Sequence, residues 1–278
     1  MKRTQKVLTL LLTCTLLAGC AAAPAAEIPE TTAAVVPETV VAVPETVPAP
    51  QATEVPAEPE PFVAEIKPVI TSQQKQVTVT TADELLAAIG PDTEIIVDAE
   101  RIDLSKTSGY GSAKGEYWYW KEAFDGPEIC IFGLSNLTIR GAGEDHNANV
   151  ISAQPRYANV LNFENCSNIH IKGFTAGHAE EPGACIGGVL YFQNSQDILV
   201  EDCGLFGCGT LGVTGYSSKN MQIVNNDIYD CSVGGVEFTN CDAVNVDGNT
   251  FRDLGGPIFR IYDCGTITCN GKDAVPFQ

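Results

Sequence analysis

Over residues 187–270 apolar positions recur with a period of about 23 residues, within the range of solenoid repeats. Leu190, Val213, Val236 and Phe259 form one column, Ile198, Met221, Val244 and Ile267 a second, Val200, Ile223, Val246 and Cys269 a third, and Leu205, Ile228 and Phe251 a fourth. Within each repeat apolar and polar residues alternate in twos: Val236 and Phe238 against Glu237 and Thr239, Val244 and Val246 against Asn245 and Asp247. Period two belongs to a strand with one buried face, not to a helix. Short strands at a long fixed period predict a solenoid whose coils bury their apolar sides against their neighbours.

Upstream, residues 76–79 alternate like a first strand and residues 81–89 read as a helix. Thr81, with Glu84 three residues on, forms a capping box, and Gly90-Pro91 ends the helix. Leu85, Leu86 and Ile89 share one face, as expected of a short helix that covers the open end of a strand solenoid. Strands are expected to resume at residues 94–97 and 101–104. Residues 104–128 then make a long excursion that carries both tryptophans, in the run Tyr117-Trp118-Tyr119-Trp120. Exposed loop aromatics mark binding, so Trp118 and Trp120 are candidate ligand contacts; a packed cluster on the side of the solenoid is the alternative.

The early coils are longer than the later ones. The steps from Asn136 to Asn168 and from Asn168 to Asp197 exceed the period by roughly 9 and 6 residues, and such insertions map to loops on a solenoid. They are placed near residues 141–158 and 175–187, both ahead of the same strand of their coils, so three loops are expected beside one strand column. At the other end only residues 272–277 are available as a cap, and that end is expected to open first.

Charge and composition divide the 278-residue chain, whose formal net charge is −19. Residues 1–19 hold Lys2, Arg3 and Lys6, an apolar run, and then Ala18 and Gly19 before Cys20, the order of a secretory signal. Leu17-Ala18-Gly19-Cys20 resembles the bacterial lipobox, which implies cleavage before Cys20, acylation of its thiol and amino terminus, and attachment to a membrane of the bacterial cell envelope on the exported side. Residues 20–70 are rich in Pro, Glu, Thr and Ala and carry ten of the sixteen prolines, a composition expected to form an extended, disordered tether. Residues 71–278 form one domain with 12 Lys and Arg against 27 Asp and Glu. That acidity excludes nucleic acid and bare anionic membrane as partners. The nine cysteines of the domain, several of them one repeat apart, are expected to be mostly free buried thiols rather than disulfides, and no spacing suggests a metal site.

The segment from Gly235 to Leu254, with Asn249 repeating Asn226, resembles one coil of the right-handed parallel β-helix, the pectate-lyase-like superfamily. The resemblance covers about residues 76–271 and implies an all-β fold with three strands per coil, here near residues 236–240, 243–246 and 250–253. It also implies an asparagine ladder at Asn226 and Asn249, placed at a turn where Asn tolerates left-handed backbone angles. Neither a tandem Asp-Asp with Gly-His-Gly and Arg-x-Lys, as in polygalacturonases, nor the Arg-x-Pro-x-x-Arg of pectate lyases occurs in the chain.

In this superfamily the glycan groove lies on the outer face of the flanked strand column. Alternation places Asn162, Tyr191, Thr214, Glu237 and Arg260 there in one row, with Glu164, Gln193, Tyr216, Thr239 and Tyr262 beside it. The expected function is a lipid-anchored, monomeric surface protein that binds polysaccharide or envelope glycan through Tyr191, Tyr216, Glu237, Arg260 and Tyr262. Two alternatives stand beside it. One is a polysaccharide lyase or glycoside hydrolase using Glu164, His178, Glu180, Glu181 and Arg260, without cofactor except calcium for a lyase. The other is a structural or adhesive protein with a protein ligand. Glu164 and Glu237 lie three coils apart, roughly 14 Å, too far to form a glycosidase carboxyl pair.

Overall fold

The computed structural model describes residues 73–178, 186–207 and 210–274. The expected signal and tether, Cys20, Glu180, Glu181, Cys185 and Cys208 lie outside the described residues. Each regular coil contributes one strand to each of three sheets, as in Leu190–Gln193, Gln196–Glu201 and Gly204–Phe206, followed by Val213–Tyr216, Lys219–Val224 and Asp227–Tyr229. We number the sheets 1, 2 and 3 in that order. Coils pair in parallel at the offset of the repeat, Val213 with Val236, Met221 with Val244 and Ile228 with Phe251. The fold is an all-β solenoid, and its apolar columns are its inner faces: Val213, Ile223 and Ile228 are fully buried.

The helix α1 spans Ala82–Ala88 and has the expected capping box, in which Glu84 N donates to Thr81 Oγ1 and the Glu84 carboxylate accepts from Thr81 N. Leu85, Leu86 and Ile89 join Val79, Ile95 and Val97 in the core, so the helix covers the first coil. At the other end Phe251, Phe259 and Ile261 are only partly buried.

The corners are built by residues in the left-handed region. Asn165, Asn194, Ser217, Asn240 and Asp263 take positive φ between sheets 1 and 2, as do Asp202, Asn225 and Gly248 between sheets 2 and 3. The ladder asparagines do not. Asn226 and Asn249 sit one residue after the left-handed position and turn inward, where the Asn249 Oδ1 accepts from Asn226 N at 2.8 Å and the Asn226 Oδ1 accepts from Cys203 N at 3.0 Å. The left-handed demand and the ladder bond are thus divided between neighbours.

One further left-handed row runs Asn136, Asn168, Asp197, Asn220 and Ala243. Asn168 donates to Asn136 and Asn220 to Asp197 across successive coils. Ala243, at φ 53°, has neither the tolerance for that backbone nor the side-chain bond. Ala243→Asn is therefore expected to stabilise the domain by about 1 kcal/mol and to raise its melting temperature by roughly 2–4 °C; thermal unfolding followed by circular dichroism checks it.

Two expectations about the early coils are corrected. The strands that open at Ser135 and Val150 stand almost twice as far apart in sequence as those that open at Ser167 and Thr175, or at Gln196 and Gly204. Most of the first insertion therefore lies between sheets 2 and 3, away from sheet 1. Only the second insertion falls wholly on the sheet 3 to sheet 1 edge. The aromatic excursion, for its part, is no loop at Trp118: Trp118–Ala123 pairs antiparallel with Gly126–Phe132 as the edge strand of sheet 1. Trp118 and Trp120 stand opposite Ile131 and Ile129 and so face inward. Trp118 is 8% exposed, and Trp120 packs edge-on to Tyr110 at 4.8 Å and to Trp118 at 6.2 Å. Neither indole lies on the outer face, which removes both from the candidate ligand contacts.

All seven described cysteines are free. Burial pushes the thiols of Cys203 and Cys231 up to about 12 and those of Cys166 and Cys241 to about 11, so they stay protonated at neutral pH and pack as small apolar groups.

Candidate functional site

The outer face of sheet 1 carries the two expected rows in register. Asn162, Tyr191, Thr214, Glu237 and Arg260 pair in sequence, as do Glu164, Gln193, Tyr216, Thr239 and Tyr262. Tyr216 and Tyr262 are 41% and 44% exposed, while Tyr191 is half-buried between its neighbours. Glu237 accepts from Arg260 Nε at 2.7 Å, and the Arg260 guanidinium lies 5.7 Å from the Tyr262 ring centre. On the side where the strands begin, Asn159, Ile186, Thr210 and Val233 wall a cavity of about 330 Å3 whose floor is Tyr191, Thr214 and Glu237. The face is thus a trough with a polar floor, loop residues on one side and two exposed tyrosines on the other.

The hairpin adds groups that alternation along the later coils does not reveal. Tyr119 and Lys121 lie opposite Cys130 and Glu128 on the outer face. Lys121 Nζ donates to Glu164 Oε1 at 3.0 Å and stands 4.0 Å from Glu128, so Arg260 is not the only cation on the strip. Glu128, 7% exposed, accepts from Asn159 N at 2.7 Å, Asn159 Nδ2 at 3.1 Å and Asn162 Nδ2 at 2.8 Å. The Asn159 Oδ1 in turn accepts from Gly188 N. This chain of bonds stitches the hairpin to the next two coils and sets the wall of the cavity.

Asn162 Nδ2 also donates to Glu164 Oε1 at 3.3 Å. One amide thus bridges Glu128 and Glu164 and holds the bonded oxygens within two hydrogen-bond lengths, about 6 Å. That separation is compatible with a glycosidase pair, but both Glu128 oxygens are taken by N–H donors and Lys121 holds Glu164. Burial would raise the Glu164 pKa; the Lys121 hydrogen bond and charge outweigh it and keep the carboxyl below its ordinary 4.5. The arrangement fits a structural ion pair better than an acid awaiting a leaving group. Lys121→Met is expected to cost about 1 kcal/mol at neutral pH. Because the folded carboxyl has the lower pKa, that contribution is present above pH 4.5 and lost as pH falls through the folded value. Urea unfolding should therefore show wild type and variant differing at neutral pH and converging in strong acid.

The other candidates among the described residues are not brought together. His178 is no loop residue: it ends the strand Thr175–His178 and is fully buried. Its Nε2–H donates to Ala158 O at 2.7 Å, its Nδ1 has no partner, and burial lowers its pKa. It therefore cannot meet a substrate on the strip. His170 lies on the outer face of sheet 2, but covered, with Nε2 2.9 Å from Glu201. Arg260 is four strands from Asn162, roughly 19 Å. Among the described residues no three His, Cys, Asp or Glu side chains are grouped to hold a metal. A larger cavity of about 700 Å3, at the edge between sheets 2 and 3, is lined by Arg140, Glu144, Asp145, His146, Lys172 and Asp202. Its cations are already engaged, Arg140 by Glu94 and Lys172 by Glu201 and Asp202.

The family model described as right handed beta helix region matches residues 125–273. The chain belongs to the right-handed β-helix family. Its similarity to a crystal structure of a Parabacteroides merdae protein, described there as a candidate glycosyl hydrolase, is 11% identity with a TM-score of 0.43, covering 71% of this chain and all of that one. That likeness carries nothing about the site. No curated protein matches the chain. As a β-helix it stacks equivalent residues at each coil, which is why one face can present the same pair of rows over five successive strands.

Proposed function

We propose that this protein binds polysaccharide along the outer face of sheet 1, and that Cys20 and the following tether hold it on the exported side of a bacterial membrane. The observation that carries the binding reading is the trough itself, with Tyr191, Glu237 and Arg260 along its floor and Tyr216 and Tyr262 exposed along one side. Aromatic faces stack on the apolar faces of sugar rings, and Glu, Arg, Gln and Asn supply directed hydrogen bonds to hydroxyls. Repetition across strands suits a ligand that is itself a repeating chain. Binding is favoured over cleavage because the carboxylates at hand are already occupied as described. The anchor rests on the order of cationic, apolar and small residues before Cys20 and is tested by labelling the full chain with a lipid precursor, in which Cys20→Ser should abolish incorporation.

In a panel of insoluble polysaccharides the purified chain is expected to be retained by at least one glycan without releasing new reducing ends. The Tyr216→Ala/Tyr262→Ala variant should lose that retention while keeping its circular dichroism spectrum, because both side chains are largely outside the core. Retention unchanged in the double variant refutes this reading. Release of sugar would favour the hydrolase or lyase alternative, and capture of protein but no glycan the adhesive one.

A further inference from the structure

We propose that Phe124 and Tyr157 form an aromatic platform at the end of this trough, on which one pyranose ring of a bound polysaccharide stacks. The proposal rests on the outer face of sheet 1 being the glycan site, and names the end of it. Phe124 is the first residue of the two-residue turn between Trp118–Ala123 and Gly126–Phe132 and is 86% exposed. A phenyl ring so placed gains little from folding, since the area it hides is small, so packing does not account for it. Its ring lies 5.0 Å from that of Tyr157, tilted by 47°.

The pair is held rather than loose. The Asp125 carboxylate accepts from Arg156 N at 2.7 Å and Tyr157 N at 3.0 Å, tying the hairpin tip to the loop that precedes the next strand. At Gly126 a Cβ would stand 2.8 Å from Pro155 Cγ, so the tip sits close against that loop. Two aromatic rings fixed through their backbones lose little conformational freedom when a ligand arrives.

Position supplies the ligand class. Phe124 lies on the edge where the strands of sheet 1 begin, and Tyr157 is two residues from Asn159, which lines the cavity. The exposed large apolar side chains Phe124, Ile186 and Ile258 follow one another along that edge, and Tyr216 and Tyr262 along the opposite one. Single residues spaced two or three strands apart do not make the contiguous patch a protein interface needs. They match a narrow chain lying across the strands. The platform extends the contact by one to two strand spacings, about 5–10 Å, beyond Asn162.

The test measures affinity of the full chain for size-graded oligosaccharides prepared from mixed-linkage β-glucan, galactomannan and xylan. Wild type is expected to bind more tightly with length up to a plateau. Phe124→Ala and Tyr157→Ala should weaken the longest oligomers about tenfold and leave short ones unchanged, while Tyr157→Phe keeps the wild-type profile. An unaltered length profile in Phe124→Ala, with binding still abolished by Tyr216→Ala/Tyr262→Ala, overturns the platform and leaves the trough standing. Wild-type binding to none of these glycans overturns both.

Discussion

Phe192→Ala is expected to destabilise the domain by about 3–5 kcal/mol, a fall in melting temperature of roughly 10 °C. Phe192 is fully buried and stacks on Phe163 with ring centres 5.1 Å apart and planes 11° apart. In the inner column of sheet 1 the sequence of side chains is Ile131, Phe163, Phe192, Gly215, Phe238 and Ile261. Gly215 adds no side chain to that column, and its place is already filled: an added Cβ would stand 3.0 Å from Met221 Sδ and from Phe238 Cδ1. Removing Phe192 would open a void between Phe163 and the filled space at Gly215, and a solenoid coil can refill it only from its immediate neighbours. Thermal and urea unfolding measure the loss; a change below about 1 kcal/mol would mean that the coils collapse onto the space.

Asn226→Ala is expected to cost about 3 kcal/mol for a different reason. Asn226 is 1% exposed and makes three side-chain bonds: it accepts from Cys203 N and donates to Val200 O and to Asn249 Oδ1. Alanine leaves the buried Cys203 N–H without a partner, worth about 1–3 kcal/mol, and also removes the bonds to Val200 O and Asn249 Oδ1. Asn226→Asp is expected to rescue little, because a carboxylate keeps the bond from Cys203 but faces Val200 O without a proton to donate. Asn249, one coil on and half-buried, should be more forgiving. Equal losses at both positions would contradict the ladder account.

The two variants bear on how much of the fold is legible in the sequence. The columns and outward rows can be read because a β-helix repeats its register at a constant offset, so spacing alone places Glu237 opposite Arg260. The Lys121–Glu128–Glu164 network escapes that reading because the hairpin pairs antiparallel and breaks the period. Its signal is present in Asp125-Gly126, a common turn pair, and in the alternation of Glu128, Ile129, Cys130 and Ile131. The left-handed corner is expected one residue late because two adjacent asparagines, Asn225 and Asn226, both suit it. Only geometry separates the one that bends the chain from the one that bonds along the stack.

The most direct measurement of the central claim is hydroxyl-radical footprinting of the full chain with and without the glycan that retains it. Binding along sheet 1 predicts protection of Tyr191, Tyr216 and Tyr262, with no change at Tyr229, which lies on sheet 3. Protection of Tyr229 with Tyr216 and Tyr262 left open would place the ligand on another face and contradict the account.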